Sequence, residues 1–293
     1  MNCPRDDKKA EEFCLLGCSE GNKLALGMKY LFGWQTKIDE YKAFEIFNQI
    51  YKEKKEIIKS KKNKDDKEIG CTLFFIGRCF KNGSGIQKSA IKAIKFYEKS
   101  IDYSNSSAMY NLAILYRNGD EREGIKKDIF KAIKFYEQAS QLGDYDAMNN
   151  LGNIYRNGVE EEGVQKDIHK AIELYKKASS YEEPLSMNNL ALIYKSGDEK
   201  AGVKKDVKQA IELFEKSIKL GHDNALNNLA LIYKYGDESE GEKIFILFLF
   251  YFYFIFFFFF NYFNLFFLFS LYFYFFLFSL YFHFFIFFFN YFI

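Results

Sequence analysis

The sequence predicts an all-α protein, a right-handed α-solenoid of stacked antiparallel helix pairs. Three observations carry that prediction. Residues 108–224 are three near-copies of one 39-residue unit laid end to end, and a period of 20–50 residues marks a solenoid or an array. Within each copy, apolar residues recur twice at helical spacing, with a glycine and an aspartate between the two runs. Small residues return at the same places in every copy, as stacking of neighbouring units requires.

Taken in order, residues 1–23 are short, polar and mixed, and are expected to form a leader or a capping helix. Residues 24–51, LALGMKYLFGWQTKIDEYKAFEIFNQIY, carry the skeleton of the later copies: Tyr30 and Gly33 stand where Tyr116 and Gly119 stand, and Asp39 and Ala43 anticipate Asp128 and Ala132. The run 52–69, KEKKEIIKSKKNKDDKEI, extends or follows the second helix and then reads as a charged, solvated insertion. A second unit covers Cys71 to Ser107, its connecting loop three residues shorter than in the regular copies. Length variation belongs in loops, so this shortening supports the register. A sixth unit opens at Ala225 and stops before its second helix.

Each regular unit reads as two helices. In the copy at 108–146, Ala108, Leu112, Leu115 and Tyr116 fall on one helical face. Gly119, Gly158, Gly197 and Gly236 then end that helix, because glycine adopts the left-handed cap conformation freely. Asp128, Asp167 and Asp206 are placed to N-cap the second helix, whose buried face is expected to be Ala132, Ile133, Tyr136 and Ala139. Ala113, Gly152, Ala191 and Ala230 align, as do Ala132, Ala171 and Ala210, so helices approach closely there. The aromatic column Tyr116, Tyr155, Tyr194 and Tyr233 is expected to fill the space beside them.

The pattern Ala-x-x-Asn-Leu-Ala/Gly-x-x-Tyr-x-x-Gly, a variable loop, then Asp-x-x-Lys-Ala-x-x-x-Tyr/Phe resembles the Sel-1-like repeat, a relative of the tetratricopeptide repeat. The resemblance covers roughly residues 24–243. The regular copies depart from the usual family loop by three extra, mostly acidic residues and keep both helices. Some secreted members of the family staple each repeat with a cysteine pair, and this chain lacks those positions.

Composition narrows the chemistry. All 41 basic and 39 acidic residues lie within 1–243, and the net charge of +2 gives no one-sided basic surface for a nucleic acid. The five cysteines precede the regular repeats and occupy no repeated position, which argues for a reducing compartment and a cytoplasmic protein. Cys14 and Cys18 are one helical turn apart but have no spaced partners for a metal. His169, His222 and His283 recur with no nucleophile or carboxylate, KNGSG at 81–85 follows a helix rather than a strand, and Glu160–Glu162 lie in a loop. The reading is therefore a non-enzymatic protein without cofactor or metal.

Binding to a protein or peptide partner is the function the resemblance implies, since such arrays commonly line a concave face with their first helices. Asn111, Asn150, Asn189 and Asn228 align in those helices, and Arg117, Arg156, Lys195 and Lys234 align at their ends. These asparagines are candidates to hold the backbone of an extended peptide, with Arg117, Arg156 and Lys195 beside them. A structural reading stands next to that one: the asparagines bond to the neighbouring repeat, and a cation at a helix C-terminus favours the dipole. The acidic-then-basic loops, such as DEREGIKK, read as solvated edges.

Residues 244–293 are a different kind of sequence. Twenty-five of these fifty are Phe, none is charged, and FFLFSLYF occurs twice nine residues apart. The segment uses seven residue types, all written with T-rich codons, and interrupts a repeat. It reads as translated non-coding DNA from an AT-rich genome; the alternative is a membrane anchor, since one helical span needs about 20 apolar residues. The expected function is an interaction adaptor or scaffold, with a membrane-tethered adaptor and a fragment of a larger signalling protein as the other readings.

Overall fold

The computed structural model describes residues 7–60 and 66–235. The first helix, α1 (Asp7–Ser19), packs on α2 (Lys23–Phe32), which pairs with α3 (Glu40–Glu53). A short α4 (Lys55–Ser60) follows, and then four further pairs begin. They are α5 (Lys67–Asn82) with α6 (Ala90–Ile101), α7 (Ser106–Asn118) with α8 (Ile129–Gln141), α9 (Tyr145–Asn157) with α10 (Ile168–Ser179), and α11 (Pro184–Ser196) with α12 (Val207–Lys219). One more first helix, α13 (Asp223–Tyr235), closes the described chain. Among the described residues there is no strand, only three isolated bridges that each close a long loop, such as Asp120 with Ile125.

The chain divides into two compact units, Met1–Leu226 and Asn227–Ile293. Of the second, the described part is the end of α13. Within the first, the two helices of each pair pack together, and α3, α6, α8 and α10 each pack on the first helix of the next pair. This nearest-neighbour pattern is that of an α-solenoid. The hydrophobic tail 244–293 lies outside the described residues, as do the first six residues, 61–65 and Gly236.

Local chemistry explains the element ends. Asp128, Asp167 and Asp206 each accept a hydrogen bond, at 2.9 Å, from the backbone N–H three residues on. Asp39 and Ser89 do the same in the earlier units. The first helices have their own caps, Asn22, Asp66, Asn105, Asp144 and Glu183, which the sequence pattern did not single out. At the ends of α7, α9 and α11, Gly119, Gly158 and Gly197 combine φ near +67° with an extended ψ, a backbone region essentially restricted to glycine. The shorter loops after α2 and α5 use the ordinary left-handed cap at Gly33 and Gly83.

Both helices of each pair supply the core, and its largest fully buried rings come from the second helices. Tyr97, Tyr136, Tyr175, Phe47 and Phe214 are fully buried, each beside a fully buried alanine four residues earlier. A Cβ added at Gly27, Gly77 or Gly152 would meet the ring of Phe47, Tyr97 or Tyr175 at 2.4–2.7 Å. The small column therefore makes room for an aromatic of its own pair. The first-helix tyrosines, expected to fill that space, instead sit half-buried at the edge. Tyr116 stacks on Phe135, and Lys131 and Lys170 lie over Tyr116 and Tyr155. Ile133 is likewise only partly buried, while Ile129 is in the core.

The charged insertion is shorter than its sequence suggests. Lys54 ends α3 and pairs with Asp66, at 3.4 Å, and with Glu68. Asp66 caps α5, which begins at Lys67, so residues 67–69 are helical. The ion pairs thus join the two sides of the inserted stretch.

Candidate peptide-binding face

The aligned asparagines lie on the first helices and turn toward the preceding repeat. Asn111 on α7 accepts a hydrogen bond from Lys81 Nζ of α5 at 2.9 Å and donates to Ser107 O within its own helix. Asn150 on α9 donates to the Tyr110 hydroxyl of α7 at 3.3 Å. Asn189 on α11 donates to Asn149 Oδ1 of α9 at 2.8 Å, and Ser186 Oγ donates to the same oxygen. Asn111 and Asn150 are half-buried and Asn189 is buried. Asn228 is on α13, in the second unit.

A second polar column thus lies one residue ahead of the first, at Tyr110, Asn149 and Asn188. Asn149 and Asn188 are 4% and 5% exposed, so they act within the repeat stack. The signal was present as the doublets Asn149–Asn150, Asn188–Asn189 and Asn227–Asn228. Sequence spacing alone could not say which member of each doublet would be buried.

The aligned cations sit in the last turns of the first helices. Arg117 is exposed, and Arg156 and Lys195 are half-buried. Burial pushes the Tyr136 and Tyr175 phenols up to about 12, while the Arg117 and Arg156 guanidiniums beside them pull the other way. The Tyr175 hydroxyl also donates to Asn153 Oδ1 at 2.7 Å. In the next repeat the cation is Lys195 and the buried ring is Phe214, which has no hydroxyl. Lys81 stands at the same register position, and burial lowers its ammonium pKa, with Arg78 adding to the shift.

The loops join repeats and are not merely solvated. Glu123, in the loop after α7, bonds to Ser89 Oγ at 2.8 Å and to the N–H groups of Ala90 and Ile91 at 2.6 and 3.0 Å. It therefore caps α6 of the preceding repeat. Ser84 donates to Glu40 at the start of α3, Lys166 pairs with Asp198 at 2.6 Å, and His169 Nε2 lies 2.7 Å from Ala201 O. These links hold the second helix of one repeat to the loop of the next.

Among the described residues no group of three or more His, Cys, Asp or Glu is placed to hold a metal. Cys14, Cys18, Cys71 and Cys79 are free thiols, and burial pushes both Cys14 and Cys79 up to about 12. Cys14 Sγ donates to Ala25 O, fastening α1 to α2. No helix among the described residues is long and apolar enough to cross a membrane.

The profile of the Sel1 repeat matches six segments: 23–53, 73–102, 106–144, 146–180, 184–222 and 223–243. The chain belongs to the Sel1 repeat family. The first five matched segments follow the five helix pairs, so those Sel1 repeats are the structural units themselves. Among solved structures, a Sel1 repeat protein from Oxalobacter formigenes is 23% identical with a TM-score of 0.61, covering 78% of this chain and 86% of its own. A protective antigen of uropathogenic Escherichia coli with an SLR fold is 30% identical with a TM-score of 0.58, covering 79% of this chain. The chain spans 45% of that antigen's length. A search of curated proteins gives no match. Sel1 repeat proteins are generally adaptors for protein–protein interaction and typically non-catalytic.

Proposed function

We propose that this Sel1 repeat protein is an adaptor that holds an extended segment of a protein partner along its first-helix face. The reading rests on one observation: Asn111 and Asn150 recur in register and keep part of their surface, with Arg117 and Arg156 six residues further along the same helices. Half-buried amides supply both a donor and an acceptor to a peptide backbone, and the cations attract its carboxylates. Asn189 and Lys195 continue the two columns on α11. The bonds of Asn111, Asn150 and Asn189 to the preceding repeat hold the first column in place, which preorganises the face.

The test uses the full chain and partners captured by cross-linking, each then measured with purified protein. Asn150→Ala with Asn189→Ala, and separately Arg117→Glu with Arg156→Glu, should weaken a genuine partner by about tenfold or more. Thermal unfolding of each variant separates lost contact from lost fold. If every partner binds both folded variants as it binds the wild type, the first-helix face is not the docking surface.

A further inference from the structure

The helix α4 has no counterpart in the other repeats and buries none of its six residues. A helix that buries nothing adds little to a core. What it does add is one wall of a cleft of about 280 Å³, lined by Tyr51, Lys55, Ile58, Lys59, Lys99, Asp102 and Tyr103. The cleft therefore occurs at the junction of the first two repeats, where the insertion lies, on the side of the second helices α3 and α6.

Its lining is apolar below and cationic above. Ile58 and Tyr51 pack against the buried cluster of Ile69, Leu73 and Tyr103. Lys55, Lys59 and Lys99 are exposed around it and outnumber Asp102 three to one. Lys55 and Lys59 are one turn apart on α4, so they share a face. Lys99 is held in place, since its Nζ donates to the Tyr51 hydroxyl at 3.3 Å and lies over the Tyr51 and Phe96 rings. Glu56 pairs with Lys59 at 2.8 Å on the outer side, in an exposed contact that a competing carboxylate displaces at little loss.

Tyr103, 7% exposed, forms part of the apolar wall.

We infer that this cleft is a second binding site, separate from the first-helix face, which takes an acidic segment of a protein partner. An apolar side chain of that segment enters between Tyr51, Ile58 and Tyr103. Its neighbouring carboxylates meet Lys55, Lys59 and Lys99. Charge complementarity selects the acidic segment, and the apolar floor distinguishes it from a free anion.

The experiment titrates the full chain with a fluorescent peptide of alternating Glu and Leu, against the same peptide with Gln for Glu, read by anisotropy. The acidic peptide should bind saturably and more weakly as salt is raised, and the Gln peptide about tenfold more weakly or less. Lys55→Glu with Lys59→Glu should lower affinity by about tenfold or more. Asn150→Ala with Asn189→Ala should leave it unaltered, so failure of the first-helix reading would not affect this result. Equal binding of the two peptides, or a Lys55→Glu with Lys59→Glu variant that binds as the wild type does, overturns the proposal. So does binding of inorganic phosphate or of phosphatidylserine vesicles that the lysine variants lose while the acidic peptide stays unbound.

Discussion

At the turn from each second helix into the next first helix, positions 104, 143, 182 and 221 all have positive φ, one repeat apart. Two are glycines, but Ser104 and Glu182 hold φ of 55° and 58° against a penalty of about 1–2 kcal/mol for a left-handed residue with a Cβ. Glu182→Gly should therefore raise stability by up to about 1 kcal/mol, the relief being partly offset by the added freedom of the unfolded chain. Urea unfolding at neutral pH measures it. At the equivalent turn of the preceding repeat, Asp144 caps α9 and is itself half-buried. Burial pushes its carboxyl up to about 6, with Asp146 adding, while the Ala147 N–H and the Ser106 hydroxyl oppose the rise. A folded-state pKa above the unfolded value means that the folded protein holds this proton more tightly. The associated stability is complete below about pH 4 and is lost as pH rises through 6. Asp144→Asn keeps a good N-cap and should gain on the wild type as pH rises from 4.5 to 7.5, seen as a widening difference in Tm. Glu123 and Asp128 act in the opposite sense, since backbone N–H groups hold their carboxyls below the ordinary carboxylate range and their contribution is lost only as pH falls through those lowered values. Comparing variant with wild type at each pH cancels those terms.

Helix pairs are set by one recurring meeting of a small residue with a large ring. At α9 and α10 a Cβ on Gly152 would lie 2.6 Å from Tyr175 Cε1. The repeats of α7 and α11 carry alanine at this position, Ala113 and Ala191, so a ring can be accommodated there. Here the Tyr175 hydroxyl bonds to Asn153, on the same helix as Gly152, and the ring cannot retreat without breaking that bond. Gly152→Ala should thus destabilise by roughly 1–3 kcal/mol of overpacking, less about 1 kcal/mol regained in helix propensity. Ala171→Leu, at a fully buried position on α10, should lose roughly 1–3 kcal/mol with no such offset. Between repeats the decisive element is the loop. Glu123→Ala should destabilise by about 1 kcal/mol, the usual loss on deleting a cap, and hydrogen exchange should show the first turn of α6 fraying, although Glu123 belongs to the following repeat. Helix pairs, their glycine stops and their aspartate caps were legible because each depends on residues a few positions apart. The loop clasp was not, because Glu123 and Ala90 are 33 residues apart and in sequence the acidic loop looks like any solvated edge.

For the molecule as a whole, contacts between nearest neighbours imply that substitutions in distant repeats act independently. Ala43→Gly in the first pair and Ala171→Leu in the fourth should add within about 0.5 kcal/mol, whereas Glu123→Ala and Ser89→Ala, which share one clasp, should not. A double-mutant cycle by urea unfolding checks both statements. The sequence by itself determined the family, the all-α solenoid, the length of the unit and the register of its columns. Those properties follow from short-range periodicity repeated many times, and each copy confirms the others. Tertiary structure decided what the columns do. It turned Asn150 toward Tyr110, put Asn149 and Asn188 inside, and replaced the first-helix tyrosines by Tyr136 and Tyr175 at the centre of the core. It also made Lys55, Lys59, Lys99 and Tyr103 neighbours around one cleft. The reason is geometric: which side of a helix faces the next repeat depends on the angle at which pairs stack, and that angle is set by contacts between residues about 40 positions apart, such as Asn189 with Asn149.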